Sequence, residues 1–140
     1  MRYLLVILAL AGVVVSALAL REHFREGDSP CSINDKWDCG IVNKSDYAVI
    51  AKVPVAAIGI AGYLLMAILG GMRRYRLLLV CLLGSLGFSA YLSYVEDKIL
   101  GVWCIYCVIS AGIVVVMFLL TAGAVIAQLT RAKQEKPAPA

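Results

Sequence analysis

The chain has 140 residues, 62% of them hydrophobic and only 16% charged, with a formal net charge of +4. Mean hydropathy is +0.89. The composition excludes a soluble enzyme domain and a disordered regulator, and it argues against a nucleic-acid binder because Lys and Arg are scattered over loops and ends rather than gathered on a face. The chain reads as an integral membrane protein.

Four uncharged runs carry the excess: Tyr3 to Leu20, Val53 to Met72, Leu77 to Val95, and Ile99 to Thr130. About 20 helical residues cross the ~30 Å hydrocarbon core, so the fourth run exceeds one crossing. Its span is placed at Cys107 to Leu129, with Ile99 to Tyr106 as the interfacial entrance. Lipid offers backbone groups no partners, and runs this long and unalternating satisfy themselves as helices. Pro54 suits a helix start, where its missing N–H costs nothing. The expected fold class is an all-α membrane protein: one four-transmembrane-helix bundle over residues 1–132, with spans at about 3–20, 53–72, 77–95 and 107–129. Residues 133–140, ending Pro-Ala-Pro-Ala, read as a disordered cytoplasmic tail. Gly59 with Gly62, Gly84 with Gly87, and Ser110 with Gly112 predict close helix packing.

Loop charges set the expected orientation. Arg2 at the N-terminus, the Arg73-Arg74-Tyr75-Arg76 loop and the cations of the tail fall on one side, which the positive-inside rule makes cytoplasmic. The loops over 21–52 and 96–98 then face outward, as in a protein of the bacterial inner membrane whose site faces the periplasm or exterior. Met1-Arg2, the apolar run and Ala17-Leu18-Ala19 also resemble a cleavable signal peptide. The run is longer than a usual signal core, so the expectation is that it stays as the first span.

Four of the five cysteines collect on that outer side. Cys31 and Cys39 lie in the first outer loop, and Cys104 and Cys107 at the mouth of the fourth span. An oxidising outer compartment is where disulfides persist. Cys104-x-x-Cys107 has helix spacing, which puts both sulfurs on one face, and a helix N-terminus there favours a thiolate. That suits a redox dithiol in which one sulfur attacks and the other resolves. Together the two pairs form a relay for thiol–disulfide exchange. Two other readings compete: a non-catalytic tetraspan protein with structural disulfides, and a zinc site built from all four thiolates. Cys81, mid-span, reads as a small apolar packer. Trp103 and Tyr106 read as interfacial anchors that could also line a site for a planar ligand. No Gly-rich phosphate loop, His-rich metal motif or Ser/His/Asp set is present, and no metal is expected.

The chain resembles the vitamin K epoxide reductase family. The resemblance is carried by Cys31 with Cys39, then Asn43-Lys44-Ser45-Asp46-Tyr47-Ala48, then Val53-Pro54 leading to Gly59-x-x-Gly62-Tyr63, and finally Trp103-Cys104-x-x-Cys107. Bacterial disulfide-bond-formation protein B, the other four-helix quinone-linked family, carries its two pairs in the reverse order. The resemblance implies a four-helix bundle holding a quinone beside the C-x-x-C, under a cap made by the outward-facing first loop. It also implies roles: Cys107 reacts with the quinone, Cys104 exchanges with the loop, Cys39 passes electrons to Cys104, and Cys31 resolves with Cys39 and meets the outside partner. Ser45 supports the cap, and Trp103 borders the quinone. Members that reduce vitamin K epoxide carry a Tyr at the position of Ala111 and an Asn at that of Val55. Both polar contacts are replaced here, which weighs against epoxide reduction. The form expected is a bacterial-type, stand-alone member without a fused thioredoxin domain.

The expected function is therefore a quinone-dependent disulfide oxidoreductase. It takes electrons from a thioredoxin-fold periplasmic or extracellular partner and reduces a membrane quinone (ubiquinone, menaquinone or related), supporting disulfide formation outside the membrane. A vitamin K epoxide or quinone reductase proper is the alternative. Membrane lipid is an expected partner and nucleic acid is not.

Overall fold

The computed structural model describes residues 1–26 and 36–136. Four long helices follow the four apolar runs. They are α1 (Arg2–Phe24), α3 (Val55–Gly71), α4 (Tyr75–Tyr94) and α5 (Ile105–Glu135), with a short α2 (Cys39–Lys44) between the first two. Three of them, with α4 counted through its extension to Leu100, are long and apolar enough to cross a membrane. α3 is shorter, at 17 residues, or about 25 Å at roughly 1.5 Å per residue.

A hairpin accounts for the shortening. Val49–Ile50 (β1) pairs antiparallel with Val53–Pro54 (β2), so two residues expected in the second span are held in a strand. Pro54 caps α3 from outside, and the helix begins at Val55. The turn residues Ala51 and Lys52 take φ of 50° and 69°, the left-handed pair that a two-residue hairpin turn needs. At the other end of α3 the chain reverses within three residues. Met72 N–H donates to the Ile68 carbonyl at 2.9 Å and Arg74 N–H to that of Leu69 at 3.0 Å, while Arg73 adopts φ 59°. These bonds take up carbonyls that the helix end would otherwise leave bare. α5 runs on to Glu135, three residues into the stretch expected to be a disordered tail, and residues 137–140 of that tail lie outside the described residues.

α1 lies most closely along α3, and α5 packs on both α1 and α4. Large apolar side chains such as Ile7, Val80, Leu119 and Ile126 point outward, as a hydrocarbon environment permits. The main buried cluster joins Leu5, Ala9, Tyr63, Met66, Leu78 and Met117; a smaller one at the opposite end joins Val42, Val102 and Cys104.

Four of the five glycines expected to pack helices closely do not do so, and Gly59 does. The tight approach is at Gly12, where an added Cβ would lie 2.3 Å from the Tyr63 ring. Gly59 approaches α1 as expected, since a Cβ there would sit 2.9 Å from the Ser16 hydroxyl. Gly62, Gly84, Gly87 and Gly112 have open space where a side chain would go, so they do not bring helices together. Gly62 and Gly84 instead border a cavity. α3 and α4 touch far less than α1 and α3 do, and the cavity occupies the gap between them.

Candidate redox site at the helix mouth

The site is assembled from two segments that are distant in sequence. Residues 36–38 and 103 form a parallel backbone bridge: Trp103 N–H donates to the Lys36 carbonyl at 2.6 Å, and Asp38 N–H donates to the Trp103 carbonyl at 3.0 Å. The two indoles pair beside it with ring centres 6.4 Å apart. Asp38 then caps α2, accepting from Ile41 N–H at 3.2 Å, so Cys39 is the first helical residue after the bridge. Cys104 is the first residue after the bridge on the other strand. The backbone carrying Cys39 is thus fastened beside the backbone carrying Cys104.

Beyond Tyr94 the chain does not leave the helix for a loop. Val95–Leu100 continues α4 as a single turn of π-helix, closed by Gly101 at φ 66°. Glycine takes that left-handed conformation without the steric cost that a Cβ adds. The wider turn rotates Glu96 inward, where it is 3% exposed. Its carboxylate accepts the Cys104 N–H at 3.2 Å and borders the same cavity as Cys107. Cys104 is the N-cap of α5 and Cys107 lies one turn inside, so the two residues fall on one face of the helix. Cys104 is fully buried, beneath Val42 of α2 and Val102. Cys107 is half-buried and faces the cavity.

That cavity has a volume of about 400 Å³ and a mostly apolar wall. Size and lining are those of a small-molecule site, apolar with a few placed polar groups. The polar groups come from all four long helices, with Ser16 on α1. Tyr63 turns its hydroxyl to the Ser110 carbonyl at 2.9 Å and the Ser110 hydroxyl at 2.7 Å. Ser85, Ser89 and Ser93 line up at intervals of four along α4, leading to Glu96. Ser85 donates to the Cys81 carbonyl at 2.9 Å, which keeps its helix-lining hydroxyl satisfied in an apolar setting. A flat quinone head fits the residues present: Gly62 and Gly84 leave space that any side chain would fill, and Cys107 stands at the wall.

The residues expected from sequence are distributed as follows. Cys104 and Cys107 come together, Cys107 and Val55 line the cavity, and Cys39 enters through its backbone beside Cys104. Ser45 closes α2, donating to the Val42 carbonyl at 2.7 Å, and borders a small cleft of about 30 Å³ shared with Val55, Glu96 and Cys107. Trp103 and Ala111 line neither cavity. Trp103 is held against Trp37 by the bridge, and the cavity-facing stripe of α5 runs through Cys107, Ser110 and Val114, which leaves Ala111 to one side. Cys81 lines the cavity rather than packing in the core alone. Cys31 lies outside the described residues. Tyr63, Ser110 and Glu96 were not singled out by the sequence as site residues. For Glu96 the available signal was an acid at the end of an apolar run, eight residues before a cysteine of the C-x-x-C. Among the described residues no group of three or more His, Cys, Asp or Glu is placed to hold a metal.

With this geometry in view, the family comparison is decisive. The model of the vitamin K epoxide reductase family matches residues 3–122. The chain belongs to that family. It is an integral membrane protein and an oxidoreductase of a family that works, in general, between thiols and quinones. The matched range contains both cysteine pairs, the bridge, Glu96 and every residue of the cavity wall. No curated protein matches the chain.

Proposed function

We propose that the protein is a quinone-linked thiol–disulfide oxidoreductase that supports disulfide formation outside the membrane. The observation that carries this reading is the backbone bridge, which fastens the Cys39 segment onto Cys104 while Cys107 faces the cavity. Cys104 is sealed beneath α2, so a folded partner has no route to it except through the loop pair. A reduced thioredoxin-fold partner outside the membrane passes its electrons to the Cys31/Cys39 disulfide. The Cys39 thiolate attacks Cys104, breaking the Cys104–Cys107 bond and releasing Cys107 at the cavity wall; Cys31 then resolves with Cys39. Bound between α3 and α4, a membrane quinone supplies an acceptor for two electrons and two protons.

The residues of this chain do the rest. Tyr63 and Ser110 set a hydrogen-bonded hydroxyl pair at the cavity wall, where Ala111 and Val55 carry no polar group, and the Ser110 hydroxyl would turn from Tyr63 to donate to a quinone carbonyl. The apolar wall suits a flat quinone head, and burial of Cys104 keeps water from that sulfur. The first outer segment, with α2 and the hairpin, acts as the cap. Both termini and Arg73 to Arg76 lie in the cytoplasm of a bacterial cell, and the site faces the exterior.

The test is anaerobic turnover of purified protein with a reduced partner and a ubiquinone or menaquinone analogue. Wild type reduces the quinone. Replacing Cys31 or Cys39 by Ala abolishes oxidation of the protein partner but spares a measurable part of the turnover driven by a small dithiol. Replacing Cys107 by Ala stops both. Absence of quinone reduction by the wild type would sink the reading.

A further inference from the structure

The buried carboxylate of Glu96 has no role in the relay described so far. Charged groups are removed from water only at a cost, and a carboxylate this deep in an apolar protein demands compensation. Its compensation consists of groups of the redox centre itself. One is the Cys104 N–H, an orphan donor of the α5 N-terminus, and beside it stands Cys107, which lines the same cavity and the same cleft as Glu96. Among the described residues Glu96 belongs to neither ion pair, and Asp97 and Lys98, which follow it in sequence, pair with each other at 3.2 Å. A single carboxylate thus binds the backbone of Cys104 and shares with Cys107 the walls of the cavity and of the cleft beneath the cap. A group needed only for packing would not be an acid, and one needed only to cap α5 would not border the cavity that Cys107 faces.

We propose that Glu96 is the catalytic proton acceptor of the site, taking the proton of the Cys107 thiol during oxidation of the dithiol. The proposal rests on the quinone-linked reading above. As Cys107 loses its proton to the Glu96 carboxylate, the S–H bond breaks and an O–H bond forms. The Cys104–Cys107 bond then forms, and the Cys104 proton leaves by way of the same carboxylate once it is free. Two electrons and two protons depart in all, and the quinone that receives them becomes a hydroquinone, so the balance closes with no other reactant. Glu96 gives the Cys107 proton somewhere to go within a mostly apolar site.

The experiment uses full-length protein with Glu96→Gln and Glu96→Asp. Gln keeps the size and the acceptor for the Cys104 N–H but cannot take a proton; Asp keeps the acid on a shorter stem. In a single turnover of prereduced protein with a quinone analogue, Glu96→Gln is expected to slow quinone reduction on the order of a hundredfold, and Glu96→Asp to recover about tenfold or more of that loss. A second readout needs no quinone: the infrared difference spectrum between dithiol and disulfide protein. Wild type shows a carboxyl band that changes with the sulfurs, Glu96→Gln lacks it, and Glu96→Asp shifts it. Equal rates in all three proteins, or a difference spectrum unchanged by Glu96→Gln, would overturn the proposal while leaving the quinone reading intact. A wild type that does not reduce quinone would fail the earlier reading instead.

Discussion

Gly12→Ala is the sharpest test of how the bundle is held. The added Cβ would lie 2.3 Å from two carbons of the Tyr63 ring and 2.5 Å from a third. Reaching ordinary contact requires α1 and the ring to part by roughly 1 Å, and neither is free to do so. Tyr63 is 3% exposed, and its hydroxyl is pinned to Ser110 through bonds of 2.7 and 2.9 Å. Overpacking of this kind costs about 1–3 kcal/mol, and losing the Tyr63 hydroxyl's partners adds about 1 kcal/mol. The expected destabilisation is therefore about 2–4 kcal/mol. Reversible unfolding in mixed micelles, followed by intrinsic fluorescence, measures it. Adding Tyr63→Leu to Gly12→Ala should cost less than the two single changes summed, because the clashing ring is gone. A Gly12→Ala protein within about 0.5 kcal/mol of wild type would refute the packing described for α1 and α3.

Tyr63→Phe keeps the ring against Gly12 and removes only the hydroxyl; it should cost about 1 kcal/mol in the same assay and raise KM for the quinone more than it lowers kcat. Lys52→Gly removes a left-handed non-glycine from the hairpin turn and should stabilise the protein by up to about 1 kcal/mol; a lower melting temperature would show that the turn is misdescribed. Asp38→Ala removes the α2 cap bond, costing about 0.5–2 kcal/mol locally, and should slow electron entry from a protein partner more than turnover with a small dithiol. Equal slowing of both would argue that α2 does not present Cys39.

The helices were legible because lipid makes them so: an uncharged run near twenty residues has little choice but to satisfy its own backbone. The hairpin was not, because Ala51-Lys52 lacks the Asn-Gly signature and its left-handed turn is imposed by the chain entering and leaving it. The sulfur pair at Cys104 and Cys107 was legible from spacing alone, since one helical turn brings i and i+3 together. Glu96 read as a loop acid beside Asp97 and Lys98; nothing local announces that a π-turn rotates it inward while its neighbours stay exposed. The glycine pairs were read as packing motifs, yet whether a missing side chain admits a neighbour or leaves a void depends on the facing helix. Trp37 and Trp103 were bound to be neighbours only once the backbone bridge was seen, because pairing between segments so far apart leaves no periodic trace in either.

The central claim is that electrons pass from Cys39 to Cys104, and it is tested most directly by trapping that step. In a Cys31→Ala, Cys107→Ala protein the two remaining sulfurs of the relay have only each other. After mild oxidation, peptide mapping by mass spectrometry should find a Cys39–Cys104 disulfide within single molecules, in most of the protein. Recovery of Cys39 and Cys104 as separately alkylated thiols would contradict the relay.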